Sequence, residues 1–193
     1  MEKLLGSVIK GHLEVINSLA GDAEFRNAIA RFGAMAVGAF KSGNKMMICG
    51  NGGSAADSQH IAAELVGRFV KNRPAIGAIA LTVDTSAITA IGNDFAFDSI
   101  FSRQVEGLGI KGDILLGITT SGNSPNVIKA MEKAREMGIT TVGLSGANRA
   151  AKIAQCSDVC IFVPSPTTAR VQEAHILIGH IVCEYIESNL FPA

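Results

Sequence analysis

The spacing of apolar residues changes near residue 44 of the chain. Before that point they recur at helical intervals, which predicts two helices over residues 2–20 and 22–42. After it, short runs rich in Ile, Val or Leu alternate with segments of helical spacing. These runs span residues 45–49, 76–81, 114–118, 141–144 and 159–163. Runs of this kind are typical of strands that are buried on both faces of a parallel sheet.

The segments between the runs predict helices over residues 54–67, 84–92, 97–108, 124–137 and 148–154, with a long final helix over 168–190. Five strands with intervening helices indicate an α/β fold, with a doubly wound, flavodoxin-like five-stranded parallel sheet. We expect one domain over residues 1–193. The helices over 2–42 exceed what one sheet needs, and we interpret them as an oligomerisation extension.

Composition narrows the classes of function. Hydrophobic residues make up 48% of the chain and charged residues 18%, so the chain can bury a sizeable core. The formal net charge is zero, which gives no electrostatic reason to expect nucleic acid or an anionic membrane as a partner. The four cysteines form no CxxC pair and lie mostly in apolar patterns, which predicts free thiols in the reducing cytoplasm.

Two loops rich in glycine and hydroxyl groups follow predicted strands that are not consecutive in the chain. The first holds Asn51, Gly52, Gly53 and Ser54, and the second holds Thr119, Thr120, Ser121 and Ser124. Each leads into a helix, whose free amides and dipole attract an anion. Neither loop contains lysine or arginine, and neither has GxGxxG or GxxxxGK[ST] spacing. We therefore expect a sugar monophosphate rather than a Mg-nucleotide, with ordinary turns and serine helix caps as the alternative.

Histidine and carboxylate side chains form a candidate metal or acid–base cluster. His60 and Glu64 share one face of a helix, and the final helix carries Gln172 and His180. Such groups can bind zinc, although His60 and Glu64 alone also fit a solvated helix face. Gln172 and His180 are separated by about 12 Å of helix rise, whereas donor atoms around one metal lie about 3–4 Å apart. This separation suggests either a site at a subunit interface or a metal not shared by all four groups.

Four segments together resemble the bacterial phosphoheptose isomerases of the sugar-isomerase (SIS) domain superfamily. The resemblance runs from about residue 45 to 187 and is carried by CGNGGSAADSQHIAAELVGRF (49–69), ALTVDTSAITAIGNDFAF (80–97), GDILLGITTSGNSPNVIKA (112–130) and ARVQEAHILIGHIVCEYIE (169–187). It implies conversion of D-sedoheptulose 7-phosphate to D-glycero-D-manno-heptose 7-phosphate. That is the first step toward the ADP- or GDP-heptose precursors of lipopolysaccharide and other glycoconjugates.

The resemblance also implies a homotetramer with active sites at subunit interfaces and one zinc ion per subunit. The implied zinc ligands are His60, Glu64, Gln172 and His180. The implied substrate contacts are Asn51, Gly52, Gly53, Ser54, Glu64, Asn93, Asp94, Thr119, Thr120, Ser121, Ser124 and Gln172. Thr119 stands where serine is common in the family, and Ala169 stands where some members carry aspartate.

Isomerisation of this kind moves a proton between C1 and C2 through an enediol, so it needs a base near the carbons and an acid near the carbonyl oxygen. We assign Glu64 as the catalytic base and His180 as its catalytic acid–base partner. Zinc would polarise the carbonyl, but a carboxylate bound to zinc is a weaker base, so Glu64 has to be loosely held during turnover.

Three alternatives remain at the level of sequence. The first is a non-catalytic SIS protein that binds a replication initiator, whose members lack the carboxylate and imidazole that Glu64 and His180 supply. The second is a regulatory phosphosugar sensor, which usually carries an attached DNA-binding domain. The third is an isomerase of a different phosphosugar. Retention of Glu64 and His180 favours the phosphoheptose isomerase.

Overall fold

A computed structural model describes residues 1–192 and contains five strands, eight α-helices and a 3-10 turn within them. Its elements, in chain order, are α1 (Glu2–Gly21), α2 (Ala23–Lys41), β1 (Met46–Gly50), α3 (Gly53–Val66), β2 (Ala78–Ala80), α4 (Thr85–Asp94), the 3-10 turn Phe97–Ser99, α5 (Ser102–Leu108), β3 (Ile114–Thr119), α6 (Pro125–Glu136), β4 (Thr140–Ser145), α7 (Lys152–Gln155), β5 (Val159–Phe162) and α8 (Thr168–Leu190).

The sheet is parallel throughout, with the strand order β2-β1-β3-β4-β5. The predicted five-stranded, doubly wound fold is therefore confirmed. Alternate residues of β1 face opposite layers: Met46 and Ile48 pack in one apolar core, and Met47 and Cys49 in the other. The first core also takes residues of α1, α2, α3 and α8, whereas the second takes residues of α5 and α6.

Local signals explain where several helices begin. Asp22 separates α1 from α2, and its carboxylate accepts hydrogen bonds from the amides of Glu24 and Phe25 at 2.8 and 3.3 Å. A side chain that accepts hydrogen bonds from the first free amides in this way is a typical helix N-cap. Pro125 begins α6, where its fixed φ suits the first helical turn. The two predicted N-terminal helices thus form with their break at the expected place.

Two predicted helices differ from the structure. The segment 148–154 is helical only from Lys152, because the Asn148 carboxamide oxygen accepts a hydrogen bond from the Ala150 amide and forms a turn instead. The segment 97–108 is divided into the 3-10 turn and α5, with the buried residues Ile100 and Phe101 at the junction.

The predicted strand 76–81 is also shorter, since only Ala78–Ala80 form β2 at the edge of the sheet. The Ile76 amide donates to the carbonyl oxygen of Leu65 in α3, so this residue leaves the strand ladder. Within residues 1–192, no helix is both long enough and apolar enough to cross a membrane.

Candidate active site

The two glycine-rich loops lie side by side in the fold. They follow β1 and β3, which are separated in the chain but are neighbours in the sheet. The strand order reverses between these two strands, since β2 lies beyond β1 while β4 and β5 lie beyond β3. Crevices at the carboxyl ends of strands at such a reversal are the usual ligand sites of open α/β sheets.

Close packing and backbone conformation explain the glycines of the first loop. A Cβ atom on Gly50 would lie 2.7 Å from the Cβ of Ser54, and Gly52 has a φ of +56° at the N-cap of α3. Ser54 is the second residue of α3 and is buried, so it is not the helix cap. The interpretation of Ser54 as a capping residue is therefore wrong.

Three hydroxyl groups converge in the second loop. The Thr119 Oγ1 atom lies 2.8 Å from Ser124 Oγ and 3.3 Å from Ser121 Oγ. Ser124 does occupy the N-cap position of α6, but its side chain makes no capping hydrogen bond to the helix backbone. Thr120 lies in the same loop, and its carbonyl oxygen accepts a hydrogen bond from the Gly146 amide. Hydroxyl donors at the start of a 12-residue helix form a suitable cradle for a phosphate group.

A pair of asparagines joins the two loops. The Asn51 and Asn126 carboxamides exchange two hydrogen bonds, of 2.9 and 2.8 Å, and the Asn126 oxygen also accepts from the Val127 amide. Asn126 is 2% exposed. No motif in the sequence singles out this residue, although a polar side chain on the buried face of α6, beside Val127 and Ala130, is a signal that it has a specific partner.

The predicted histidine and carboxylate cluster also forms. The Nε2 atoms of His60 and His180 lie 2.9 Å apart, and His60 Nε2 lies 3.1 Å from Glu64 Oε1. His60 and Glu64 come from α3, whereas His180 comes from α8, which packs against it. A third group from another helix thus joins the pair, whose side chains are 46% and 25% exposed.

The donor set of this cluster fits a metal ion. One ligand atom from each of His60, Glu64 and His180 lies within 4.8 Å of the others. Two imidazoles and a carboxylate are the ligands of many zinc sites that keep a position open. Two facing imidazole nitrogens need either a shared proton or a cation between them. His60, Glu64 and His180 could thus hold zinc or a similar divalent ion.

The Gln172 side chain contacts the start of α3. Its Nε2 atom would be 2.4 Å from a Cβ atom on Gly53, which places the carboxamide over the start of α3 and explains the glycine there. His180 lies eight residues, or about 12 Å, farther along α8. The separation anticipated from the sequence is therefore present within the chain, and a metal site completed by a neighbouring subunit stays a prediction.

Asn93 and Asp94 end α4 and are both exposed. The Asn93 carboxamide donates to Asp94 Oδ1 at 2.8 Å. Within residues 1–192, neither side chain is hydrogen-bonded to the two loops. Their role as substrate contacts stays a prediction.

Two titratable groups with shifted pKa values, the half-buried Asp57 and the buried His175, lie on the helices that carry the cluster. Burial raises the pKa of Asp57 on α3 to about 6, an effect partly opposed by the charge of His60. Burial lowers the pKa of His175 on α8 to about 4, although its hydrogen bond to the Ser145 carbonyl oxygen acts in the opposite direction. His175 is therefore neutral at physiological pH. Nothing in its sequence context distinguished it from an ordinary core residue.

Comparison with known proteins places the chain in a family. A family model described as "SIS domain" matches residues 14–146. A phosphoheptose isomerase from Akkermansia muciniphila is 51% identical over 183 residues, which cover 95% of this chain and 93% of that protein. The chain belongs to the phosphoheptose isomerase family. The resemblance drawn from the four sequence segments is thus confirmed, as is the assignment to an isomerase.

Solved structures of phosphoheptose isomerases share this fold over nearly the whole chain. The phosphoheptose isomerase GmhA from Neisseria gonorrhoeae is 40% identical, with a TM-score of 0.90, and the match covers 97% of this chain and 98% of that one. A phosphoheptose isomerase from Francisella tularensis is 35% identical, with a TM-score of 0.91 and coverage of 96% and 97%.

Proposed function

We propose that this member of the phosphoheptose isomerase family converts D-sedoheptulose 7-phosphate to D-glycero-D-manno-heptose 7-phosphate through an enediol. The main support for this proposal is the cluster of His60, Glu64 and His180. Two of its members lie on α3, the helix that begins at the first loop of the crevice. His60 lies seven residues, or about 10 Å, from Gly53 along α3. This separation leaves room along α3 for a sugar chain that extends from the loops to the cluster.

In this proposal the two loops and their neighbours bind and orient the sugar phosphate. The hydroxyl groups of Thr119, Ser121 and Ser124 hold the phosphate at the start of α6, together with Thr120. Asn51, Gly52, Gly53 and Ser54, with Gln172 above Gly53, contact the sugar. Asn93 and Asp94 contact it from the exposed end of α4.

Glu64 is the base that removes a proton from C1 of the ketose and returns it to C2. His180 supplies a proton to the carbonyl oxygen at C2 and accepts one from the hydroxyl at C1, which completes the transfer through the enediol. The Glu64 side chain is 25% exposed, which leaves it accessible to substrate. Its proximity to His60 orients the carboxylate for this role.

His60, Glu64 and His180 would hold the zinc ion within one subunit, with Gln172 as a fourth ligand from a neighbour. When bound there, zinc supplies polarisation of the substrate carbonyl. We propose one zinc ion per subunit.

We further propose a homotetramer of single-domain subunits over residues 1–193, with active sites at the interfaces and residues 2–42 as the oligomerisation extension. Support comes from α1, which exposes 49–63% of each of four apolar side chains: Leu4, Leu5, Ile9 and Leu13. An apolar helix face of this kind marks a protein interface. The cysteines are free thiols, which supports the cytoplasm as the compartment.

The test is to incubate the pure protein with sedoheptulose 7-phosphate, with and without a chelator, and to follow the aldose. We expect conversion that the chelator abolishes and added zinc restores. Binding of the ketose without conversion in the zinc-loaded protein would instead support a non-catalytic phosphosugar-binding protein. Conversion of another ketose phosphate in preference to this one would support an isomerase of a different substrate.

A further inference from the structure

A buried carboxylate near the end of α8 accepts hydrogen bonds from the backbone of the segment that follows α3. Glu187 is 2% exposed, and its two oxygens accept hydrogen bonds from three consecutive amides, those of Phe69, Val70 and Lys71, at 3.2, 2.9 and 2.8 Å. Burial alone would raise the pKa of Glu187, but these bonds and that from Arg73 outweigh it and hold the pKa below its usual range. Glu187 is therefore a carboxylate at neutral pH.

The partner of this carboxylate is Arg73. Its Nε donates to Glu187 Oε1 at 3.0 Å, and the two side chains are 2% and 3% exposed. The other end of the guanidinium donates to the carbonyl oxygens of Glu64 and Leu65, at 2.8 and 2.7 Å. Carbonyls in the last turn of a helix lack partners within the helix, so Arg73 caps the C-terminus of α3 from outside.

These contacts join the two helices that carry the acid–base cluster. Arg73 is bonded to the backbone of Glu64 itself, and Glu187 lies two turns beyond His180 on α8. Phe69, whose amide is held by Glu187, places its ring centroid 5.6 Å from that of His180. We propose that Arg73 and Glu187 are positioning residues for the isomerase reaction, which fix the last turn of α3 against α8 and so set the spacing of Glu64 and His180.

The geometry of arginine is essential to this role. A planar guanidinium can bond the carboxylate along one edge and the two helix carbonyls along another, whereas a lysine ammonium is a single point of charge. Groups that hydrogen-bond metal ligands also fix the ligands' orientation, and their loss commonly weakens metal binding or activity about 10–100-fold. Here the bond is to the ligand's backbone, so we expect the lower end of that range.

A buried ion pair can also serve stability alone, and the chain offers a matched control for that case. Asp113 is fully buried and accepts hydrogen bonds from the amides of Lys45 and Ile110 as well as from the Lys45 ammonium. It directly precedes β3, at the amino-terminal end of that strand, whereas the loops of the site follow the carboxyl-terminal ends of β1 and β3. Asp113→Asn therefore removes a comparable buried charge without touching α3 or α8.

The experiment compares Glu187→Gln, Arg73→Lys and Asp113→Asn with the unchanged protein. The first readout is Tm. The others are kcat and KM for sedoheptulose 7-phosphate, and zinc affinity by competition with a chromophoric chelator. These are measured at a temperature where circular dichroism shows each variant folded. We expect all three to lower Tm. Only Arg73→Lys and Glu187→Gln should lower kcat and weaken zinc binding, each about ten-fold, with KM less affected.

Arg73→Lys retains the positive charge beside Glu187, so it provides a folded variant should Glu187→Gln not fold. Unchanged kcat and zinc affinity in the folded variant would overturn the proposal and leave a purely structural pair. Losses of the same size in Asp113→Asn would overturn it too. The proposal rests on the proposed function, but separate results test the two. If the protein without substitutions does not convert the ketose, the proposed function is refuted. The comparison of zinc affinities among the variants still tests the positioning role in that case.

Discussion

Asn51 and Asn126 are 75 residues apart in the chain, yet each carboxamide donates a hydrogen bond to the other. The pair connects the loop after β1 with the first turn of α6, across the point where the strand order reverses. A carboxamide can both donate and accept, and this reciprocal arrangement uses both functions on each side. The two halves of the crevice are therefore fixed to each other by side chains as well as by the sheet.

Replacement of Asn126 by Asp should disrupt this connection. The carboxylate cannot donate to Asn51 Oδ1, so two oxygens face each other in a site where Asn126 is 2% exposed. We expect a loss of about 1–3 kcal/mol in unfolding free energy, and a fall in Tm of about 2–4 °C for each kcal/mol. We also expect kcat/KM to fall about ten-fold or more, because both loops contact substrate in the proposed site.

Asn27→Asp is a suitable control for this variant. Asn27 is exposed on α2, far along the chain from both loops, and the substitution changes the net charge equally. Thermal unfolding and steady-state kinetics on the two variants separate the effect of charge from that of the lost hydrogen bond. Wild-type kinetics in Asn126→Asp would show that the loops do not depend on the pair.

Removal of the Thr119 hydroxyl should weaken phosphate binding. Thr119 Oγ1 contacts both Ser121 and Ser124, so Thr119→Val opens the hydroxyl cluster while it keeps the shape of the side chain. Hydrogen bonds to charged groups contribute about 1.5–3 kcal/mol, which corresponds to a rise of about ten-fold or more in KM and in the Kd for inorganic phosphate. Thr119→Ser retains the hydroxyl and should remain close to the unchanged protein. Equal behaviour of the two variants would contradict a phosphate cradle at this loop.

Glu64→Gln and His180→Gln should each lower kcat by about 10²–10⁴, the usual contribution of general acid–base catalysis. Both keep a polar side chain at the cluster, so binding of inorganic phosphate at the separate loops should persist. Glu184→Gln is the control, since Glu184 is exposed one turn beyond His180 on the same helix. Turnover near that of the unchanged protein in either cluster variant would refute its catalytic role.

Features with a local cause could be predicted from the sequence. The runs in β1 and β3 indicated buried parallel strands because every residue in them is apolar or glycine until the final Thr119. His60 and Glu64 are four residues apart, so helical geometry alone places them together. The break between α1 and α2 follows from Asp22, whose short carboxylate bonds the amides just after it in the chain.

Features that depend on distant partners could not be predicted in this way. Arg73 and Glu187 are 114 residues apart, and each looks like an ordinary surface charge until the fold buries both. Asn126 likewise reads as a residue of a helix N-terminus, and its bond to Asn51 appears only when β1 and β3 become neighbours. Periodicity shows which positions are buried, but it does not show which buried polar group satisfies another.

The buried imidazole of His175 should make the protein less stable in mild acid. Burial lowers its pKa to about 4 in the folded chain, against about 6.5 in an unfolded one. The unfolded state therefore binds more protons between these values, so unfolding free energy is highest above about pH 6.5 and falls as the pH drops toward 4. A difference of this size corresponds to about 3 kcal/mol over the whole window.

His175→Gln provides the comparison, because glutamine can still donate to the Ser145 carbonyl oxygen but does not titrate. Urea unfolding at several pH values should give a steeper loss of stability between pH 6.5 and 4 for the unchanged protein than for the variant. Carboxylates also titrate in this range in both proteins, Asp57 among them with its pKa of about 6, so only the difference between the two curves reports on the histidine. Parallel curves would mean that His175 accepts a proton without unfolding, and that its surroundings tolerate the charge.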